Sequence, residues 1–509
     1  MLVVSLFTIL SVVALQPLVN ASMATRLSCL SLLYAGALSF NALDAGSLLA
    51  GVSMFSGLYQ ATTLSLSAET LIALAASVAL LPWSPVMTGQ VISKSTDAIP
   101  SGHSGTTSTV SPVVEYGLLA LFSTTGAMLL VSSADLVSVY LGIELQSFAV
   151  YVLAAVYRDS LGATAAGLKY FLLGGLSSCF ILLGGALVYS STGLTSLDSL
   201  AALVSVGDLQ EVGLSSCALG IVLLTCGLLF KVASAPFHNW APDVYDGVPT
   251  VVTTWLAVLP KLSILALLLE LVTSMGVNGL LVGGYDVLRG IFLLCALLSL
   301  VVGTVVGLSQ WRLKRLLSYS TISHVGFMLL ALSVTGSEST TAFTFYVAQY
   351  TLTALTAFLA LLALGYVWGS LLDVESFSDL TGRFASQPLL VLSLSVSVLS
   401  MAGVPPLLGF FGKLSVLSAT VQGGNLFMAL VAIVTSVVSA SYYLKVVRVA
   451  HFESAPVGQE SSTGQVEAVV SPGHSYAIAL MTLAMVLFMV KPLLVLNSLS
   501  VLALAYGSA

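Results

Sequence analysis

Residues 226–249 read CGLLFKVASAPFHNWAPDVYDGVP and carry the feature that decides the fold. Lys231 lies at the end of a long apolar run, and Pro236 follows shortly after it. Proline has no backbone N–H and its ring clashes with the preceding turn, so a helix that reaches Pro236 should be interrupted there. A charge and a helix break therefore occur together inside an apolar segment. The energetic cost of this charge depends on the solvent around that segment.

The composition identifies that solvent as lipid. Of the 509 residues, 58% are hydrophobic and only 7% are charged, whereas soluble domains carry about 25% charged residues. Apolar segments of about 20 residues recur along the chain, long enough to cross a hydrocarbon core of about 30 Å as helices, and the strands of a membrane barrel would be only about 10 residues long. The sequence therefore predicts an all-α polytopic membrane protein.

Hydropathy predicts about fourteen transmembrane helices. The first has no basic residues before it, so we expect a retained helix and not a cleaved signal peptide. A further helix over residues 45–65 is an alternative, but it would scatter the later basic residues over both sides of the membrane. The predicted spans lie near residues 3–20, 27–42, 66–85, 113–133, 135–157, 161–190, 214–236, 248–273, 286–308, 316–334, 341–367, 388–421, 424–449 and 475–496.

The fifteen lysines and arginines are distributed unevenly among the connections. Connections after odd-numbered spans are basic, and connections after even-numbered spans carry almost no basic residues, with Arg289 as the exception. Because basic residues favour the side from which helices are inserted, both termini are expected on the opposite side. The basic residues that set this orientation are Arg26, Lys94, Arg158, Arg312, Lys314, Arg315, Arg383, Lys445 and Arg448.

Apart from the basic residues that set the orientation, five lysines lie inside apolar spans, and Glu144 and His324 join them. An ionised side chain at the bilayer centre costs about 2.5 to 3.5 kcal/mol on insertion scales, so such residues normally face a protein interior or a wet cavity. Lys491 is near the outer end of its span and can reach the headgroups, so it is left out of the candidate site. The same alternative is open for Lys169, and His324 could be a neutral ring bonded to Ser or Thr neighbours. The candidates for a polar axis are Glu144, Lys169, Lys231, Lys261, His324 and Lys413.

A second segment combines proline and a buried lysine in the reverse order. Residues 400–416 read SMAGVPPLLGFFGKLSV, so Pro405 and Pro406 precede Lys413. Interrupted helices in corresponding positions of two halves are typical of an inverted-topology repeat, and unwound backbone in a membrane lines a cavity or is buried. The pattern predicts broken helices 7 and 12 and two inverted five-helix repeats, at residues 113–273 (helices 4–8) and 286–449 (helices 9–13). Residues 1–112 would hold helices 1–3 and a loop at 86–112, and residues 450–509 a loop and helix 14.

A line of buried Lys, His and Glu side chains favours proton transfer. Loss of water disfavours a charged lysine and a nearby carboxylate favours it, so movement of Glu144 relative to Lys231 would switch that lysine between holding and releasing a proton. The sequence has no Gly-rich phosphate loop, His-Glu metal motif or Cys-x-x-Cys pair. We therefore expect no cofactor, metal or redox centre in this chain.

Five segments resemble the subunit 2 family of NADH:ubiquinone oxidoreductase, the N-type antiporter-like subunits of respiratory complex I in their mitochondrial form. The resemblance covers roughly residues 113–450 and implies a fourteen-helix fold with inverted repeats. The segments are YLGIELQSFAVYVLAA (140–155), GLKYFLLGGLSS (167–178), LLFKVASAPFHNWAPDVYDGVPTVVTTWLAVLPKLSI (228–264), KRLLSYSTISHVGFMLLAL (314–332) and LSMAGVPPLLGFFGKLSVL (399–417).

The resemblance implies a role for each candidate residue. Glu144 would be the charged partner on helix 5, and Lys231 the proton-carrying lysine of helix 7. Lys261 would continue the relay on helix 8, and Lys413 would be its terminal lysine on helix 12. Lys169 and His324 match positions on helices 6 and 10.

The resemblance also implies the setting of the chain. NADH, FMN, iron–sulfur clusters and ubiquinone would act in other subunits of the complex. The partners would be other membrane-arm subunits, including neighbouring antiporter-like subunits, and membrane lipids, with no nucleic acid. The location would be the mitochondrial inner membrane with both termini on the intermembrane-space side, with a bacterial plasma membrane or a thylakoid as alternatives. A subunit of a cation/proton antiporter complex and a purely structural membrane scaffold are the other functions that the sequence leaves open.

Overall fold

The computed structural model describes residues 1–15, 21–43, 51–83, 115–157, 160–206, 214–275, 281–282, 285–334, 336–367, 373–453 and 470–507. The predicted loop at 86–112, with Lys94, and also Arg158 lie outside the described residues.

Helices account for almost all of the described chain. They are α1 (Leu2–Leu15), α2 (Ala21–Leu43), α3 (Thr63–Leu80), α4 (Glu115–Val131), α5 (Leu136–Ala155), α6 (Leu161–Thr192), α7 (Leu197–Val206), α8 (Leu214–Val232), α9 (Trp240–Gly247), α10 (Thr250–Met275), α11 (Val287–Leu308), α12 (Leu313–Leu332), α13 (Ser337–Val367), α14 (Arg383–Ser386), α15 (Pro388–Ala402), α16 (Leu408–Gln422), α17 (Leu426–Phe452), α18 (Pro472–Leu487) and α19 (Pro492–Gly507). Short 3-10 helices occur at Phe55–Gly57, Leu81–Trp83, Phe377–Leu380 and Phe488–Val490.

Two small antiparallel hairpins complete the described secondary structure. Strand β1 (Val52–Met54) pairs with β2 (Tyr59–Ala61), with Val52 opposite Ala61. Strand β3 (Leu281–Val282) pairs with β4 (Tyr285–Asp286). The first hairpin occupies part of the segment at 45–65 where an additional helix was the alternative, so the described part of that segment contains no continuous span.

The prediction of an all-α polytopic membrane protein is confirmed. Ten described helices are long and apolar enough to cross a membrane, and four shorter apolar helices, within α1, α4, α8 and α15, lie where further spans are predicted. Helices α10, α12 and α13 are the most deeply buried of the ten, whereas fewer than half of the residues in α6, α17 and α18 are buried. The candidate residues on α10 and α12 therefore lie in the centre of the bundle.

The last predicted span is not one continuous helix. Helix α18 ends at Leu487, a short 3-10 helix follows, and α19 begins at Pro492. The predicted span near 475–496 is confirmed over Pro472–Val490, and it ends before 496 because Pro492 cannot donate a backbone hydrogen bond and favours the first position of a new helix. Lys491 lies between the two helices and is exposed, as expected for a residue outside the polar axis.

Local capping and small residues fix the helices around the candidate site. Asp135 caps α5 by accepting a hydrogen bond from Val137 N (2.8 Å), and Ser138 completes a capping box. Helices α6 and α8 are in close contact at Gly184, where an added Cβ would lie only 2.6 Å from Gly220 O. Such small-residue contacts are typical of helix pairs in membranes, where backbones pack closely.

The predicted helices 7 and 12 are both broken, as expected: α8 is the first half of helix 7, and α15 and α16 are the two halves of helix 12. Helix α8 ends at Val232, and Ala233 takes a left-handed conformation with φ of +64° while Ser234 N donates to Leu229 O (3.1 Å). Helix α15 ends in the same way, with Gly403 at φ of +83° and Val404 N donating to Leu399 O (3.2 Å). Both ends are Schellman motifs, which satisfy the last carbonyl groups of a helix and redirect the chain.

Candidate functional site

Lys231 lies in the last turn of α8 and is buried between α5 and α6. Its Nζ donates to Ser147 Oγ (2.8 Å), Ser178 Oγ (3.0 Å) and Tyr151 OH (3.4 Å). The nearest carboxylate oxygen, Glu144 Oε1, is 3.8 Å away. The C-terminal end of a helix carries partial negative charge, which also favours a cation at this position. The predicted pair of Glu144 and Lys231 therefore comes together, but hydroxyl groups make the shorter contacts.

The carboxylate of Glu144 has a buried oxygen without a hydrogen bond in the described structure. Its Oε1 is buried and accepts no hydrogen bond within the described part of the chain. Buried acceptors are normally hydrogen-bonded, because an unmade hydrogen bond leaves the desolvation cost uncompensated. Glu144 thus has an oxygen free to take a proton or a shorter contact with Lys231.

Gln146 connects α5 with α10 beside the same site. Its Oε1 accepts a hydrogen bond from Ser263 Oγ (2.9 Å), and Ser263 is on the helix that carries Lys261. A Cβ on Gly126 would lie 2.5 Å from Gln146 N, so α4 and α5 are in backbone contact at this level. The bond between Gln146 and Ser263 therefore joins the helix that carries Glu144 to the helix that carries Lys261 through polar side chains.

Lys261 is almost completely buried on α10, directly after Pro260. Its Nζ lies 5.3 Å from the centroid of the Tyr245 ring, at cation–π range, and has no hydrogen-bond partner among the described residues. Pro260 cannot donate to Leu256 O, so that carbonyl is freed inside the helix. Tyr245 OH donates to it instead (3.2 Å). The proline therefore accounts for the position of the tyrosine that faces Lys261.

His324 is buried on α12 with a tyrosine at each ring nitrogen. Nδ1 is 2.8 Å from Tyr346 OH of α13, and Nε2 is 3.3 Å from Tyr443 OH of α17. Tyr443 OH is also hydrogen-bonded to Ser320 Oγ, one turn earlier on α12. The open alternative of a ring bonded to Ser or Thr neighbours is not what the structure shows, because the direct partners are tyrosines.

Lys413 is buried on α16 and folds back onto the end of α15. Its Nζ donates to Ala402 O (2.8 Å), the last carbonyl of α15, and lies 5.4 Å from the centroid of the Phe327 ring. Gly403 permits this contact, because a Cβ there would lie 2.9 Å from Lys413 Cδ. The prediction that Lys413 points inward past an interrupted helix is confirmed.

The two lysines at the breaks thus occupy equivalent places despite their reversed order in sequence. Lys231 lies in the last turn of the first half of helix 7, and the ammonium of Lys413 contacts the last carbonyl of the first half of helix 12. In both cases the positive charge lies at the negative end of a half-helix dipole, which stabilises a cation by about 0.3 to 2 kcal/mol.

Lys169 is separate from the buried row. Its ammonium contacts Asp243 on α9, and the side chains of both residues are about two-fifths exposed. Asp243 also accepts a hydrogen bond from Arg315 at the start of α12 (2.6 Å). Lys169 therefore belongs to an ion-pair group that joins α6, α9 and α12.

The same face carries further ion pairs. Lys314 contacts Asp373 (2.6 Å) and Val248 O (2.9 Å), and Arg312 contacts Asp246 (2.8 Å). The end of α17 also reaches this face, where Gly382 N donates to Glu453 O. We call this face, on which α12 begins and α17 ends, the basic side.

Several polar residues of the site carried no signal strong enough to select them from sequence. Ser147 and Tyr151 share a face of α5 with Glu144, at a spacing that could have revealed them. Ser178, Tyr346 and Tyr443 are uncharged residues in apolar helices, where neither hydropathy nor a motif distinguishes them.

Comparisons with known proteins agree on one family. Residues 133–439 match the family described as "NADH:quinone oxidoreductase/Mrp antiporter, TM". The chain is 42% identical to "NADH-ubiquinone oxidoreductase chain 2" of Rhizopus oryzae over 99% of both chains. It is 38% identical to "NADH-quinone oxidoreductase subunit N" of Rhodospirillum rubrum, over 73% of this chain and 74% of that protein. A chain of the structure "Respiratory complex I from Thermus thermophilus with bound Aureothin" superposes with a TM-score of 0.75 and 28% identity, covering 98% of this chain and 99% of that one.

Proposed function

Because the chain belongs to the NADH:quinone oxidoreductase/Mrp antiporter family, we propose that it translocates protons as the subunit 2, or N-type, component of respiratory complex I. The relatives from Rhizopus oryzae and Rhodospirillum rubrum, both NADH–quinone oxidoreductase subunits by name, support this assignment. The proton path would comprise Glu144, Lys231, Lys261, His324 and Lys413, with Lys169 at its edge.

The observation that carries the proposal is that three lysines are buried with little compensation of their charge. Lys231, Lys261 and Lys413 are each more than nine-tenths buried. Within the described residues, Lys231 is the one of the three with a carboxylate oxygen inside 4 Å. Burying a charge without a close partner is costly, and a structural role would be filled as well by an apolar residue. A lysine that alternately binds and releases a proton accounts for this arrangement.

The surroundings of Lys231 suggest how its proton is released. When Glu144 moves closer than 3.8 Å, the carboxylate stabilises the ammonium form. When Glu144 moves away, only the neutral oxygens of Ser147, Ser178 and Tyr151 remain near Nζ. The proton then leaves towards Lys261, past the Gln146 and Ser263 side chains that join α5 and α10.

The pairing of Glu144 and Lys231 can be tested with a double-mutant cycle. We expect Glu144→Gln to slow proton pumping on its own and to add nothing in a Lys231→Ala background, because residues that share one network have non-additive effects. The measurement is NADH-driven proton uptake and coupled quinone reduction by the assembled complex. Losses that simply add in the double variant would show that the two residues act separately.

The redox chemistry is assigned to other subunits. NADH oxidation with FMN, electron transfer through iron–sulfur clusters and ubiquinone reduction would take place outside this chain, which would supply only the proton path. The solved structure that the chain resembles is a respiratory complex by name, which supports assembly with other membrane-arm subunits, including neighbouring antiporter-like subunits.

The same relatives support a membrane location. A 42% identical protein over the full length is a fungal NADH–ubiquinone oxidoreductase chain, which supports the mitochondrial inner membrane, although bacterial subunits are also similar. We place the basic side in the matrix because basic residues favour the side of insertion, and both termini in the intermembrane space.

A cation/proton antiporter complex is the second candidate, because the matched family includes Mrp antiporters. Purification of the assembled complex distinguishes the two functions. We expect flavin-containing and iron–sulfur subunits to co-purify, together with NADH:quinone reductase activity. A complex without those subunits that exchanges a cation for protons would support the antiporter instead.

A further inference from the structure

We propose that Tyr443 of α17 is the proton carrier that connects His324 to the basic side of the membrane, and that Tyr346 of α13 is its counterpart towards the opposite side. The inference rests on the proposed proton translocation and adds two residues to it. Both tyrosines are buried, and their hydroxyl groups contact the two different nitrogens of the same imidazole ring.

The two tyrosines lie nearer to opposite faces of the membrane. Ser320, which is hydrogen-bonded to Tyr443, lies about two turns from the start of α12 on the basic side, and Tyr443 lies about two and a half turns from the end of α17 on that side. Tyr346 lies about two and a half turns from the start of α13, which is on the far side because α13 follows directly after the end of α12. His324 is therefore bracketed by hydroxyl groups that lead to opposite faces.

The kind of partner distinguishes His324 from the other buried imidazole on α18. His474 Nε2 lies 3.0 Å from Leu359 O, and a carbonyl oxygen can only accept, so that nitrogen must carry the hydrogen. A tyrosine hydroxyl can both donate and accept. With a hydroxyl at each nitrogen, either neutral tautomer of His324 keeps both of its hydrogen bonds.

The two tyrosines also differ from those that serve the backbone. Tyr245 and Tyr350 donate to Leu256 O and Ala257 O on α10, so each uses its hydrogen for a fixed acceptor. Tyr346 and Tyr443 face groups that exchange donor and acceptor roles. A simple need to satisfy a buried hydroxyl would be met equally well by a carbonyl, so the choice of partners favours proton transfer.

The transfer leaves no net charge on either tyrosine. With the hydrogen of neutral His324 on Nδ1, Tyr443 gives its hydroxyl proton to Nε2 while its oxygen accepts the hydroxyl proton of Ser320, which regains one from the basic side. The bond between Tyr443 and Ser320 joins α17 and α12. The imidazolium then releases its Nδ1 proton to Tyr346, whose own proton moves on towards Lys413 in its neutral amine form. Tyr346 and Lys413 both pack against the Phe327 ring, so this last step stays within one cluster.

The test is Tyr443→Phe, which removes the hydroxyl and keeps the ring. We expect the complex to assemble normally and coupled proton pumping to fall roughly tenfold or more, because a positioned proton carrier is lost. Tyr366→Phe is the matched control, since its hydroxyl donates to Pro82 O away from the axis. It should leave pumping unchanged.

A second arm separates proton transfer from packing. In a His324→Gln background, Tyr443→Phe should cause no further loss, because the two groups act in series. A Tyr443→Phe complex that pumps at the wild-type rate, or losses that add in the double variant, would overturn the inference. Lys231→Ala in the same assay reports on the proposed function itself: if it is inactive while Tyr443→Phe is normal, only the role of Tyr443 is wrong.

Discussion

Replacing Lys231 with alanine is expected to abolish NADH-driven proton pumping and to reduce coupled quinone reductase activity severely. The ammonium is the only charged donor that Ser147, Ser178 and Tyr151 contact among the described residues, and Glu144 lies 3.8 Å from it. Without the lysine, the proposed path lacks the group that would hold the proton between Glu144 and Lys261. Proton uptake by vesicles that contain the assembled complex measures the effect.

Lys231→Arg separates the loss of a charge from the loss of a proton. Removing one partner of a buried ion pair costs about 3 to 5 kcal/mol, so Lys231→Ala can also reduce assembly. Arginine keeps the positive charge beside Glu144 but stays protonated under all ordinary conditions, so it cannot release a proton. We expect the Lys231→Arg complex to assemble without pumping. The control is Lys491→Ala, at an exposed position between α18 and α19. Full pumping by the Lys231→Arg complex would show that Lys231 has no role in the mechanism.

The helices and their breaks could be predicted because few backbone structures are stable in a membrane. Backbone groups in lipid must be satisfied within the segment, so an apolar run of sufficient length forms a helix. Pro236 and Pro405 then mark the interruptions, which the structure has at Val232 and Ala402. The predicted last span extends past its end at Val490, because Pro492 begins a new helix.

The charged members of the candidate site could be predicted for a related reason. The cost of a charged side chain inside an apolar span makes residues such as Lys231, Lys261 and Lys413 stand out in the sequence. Tyr443 and Ser178 carry no such cost and remain hidden until the structure places them beside His324 and Lys231. The pairing of Lys169 with Asp243 was hidden as well, because it joins α6 to a short helix far along the chain.

The arrangement at the two breaks explains why reversed sequence orders lead to similar sites. Lys231 precedes its break and lies in the last turn of α8, whereas Lys413 follows its break and must turn back to reach Ala402 O. That return is possible only if α16 begins close against the end of α15. The position of the Lys413 ammonium therefore depends on the contact between α15 and α16.

Replacing Gly409 with alanine is expected to damage this contact more than other single changes of comparable size. A Cβ on Gly409 would lie 1.7 Å from Ser400 O, so α16 would have to shift away from the end of α15. Gly409 N also donates to Ser400 Oγ (3.1 Å), and Lys413 would lose its position beside Ala402 O. Overpacking of this kind costs about 1 to 3 kcal/mol or more, and here the obstacle is backbone that cannot rotate away.

The measurement for Gly409→Ala combines the amount of assembled complex with its pumping rate. We expect less assembled complex and no coupled pumping in the fraction that assembles, because the ammonium of Lys413 no longer reaches the break. Gly185→Ala is the matched control, since a Cβ there meets nothing within 4 Å and alanine favours the helix by about 1 kcal/mol. Normal assembly and pumping by Gly409→Ala would mean that α16 can move without affecting Lys413, and the role given to the helix 12 break would be wrong.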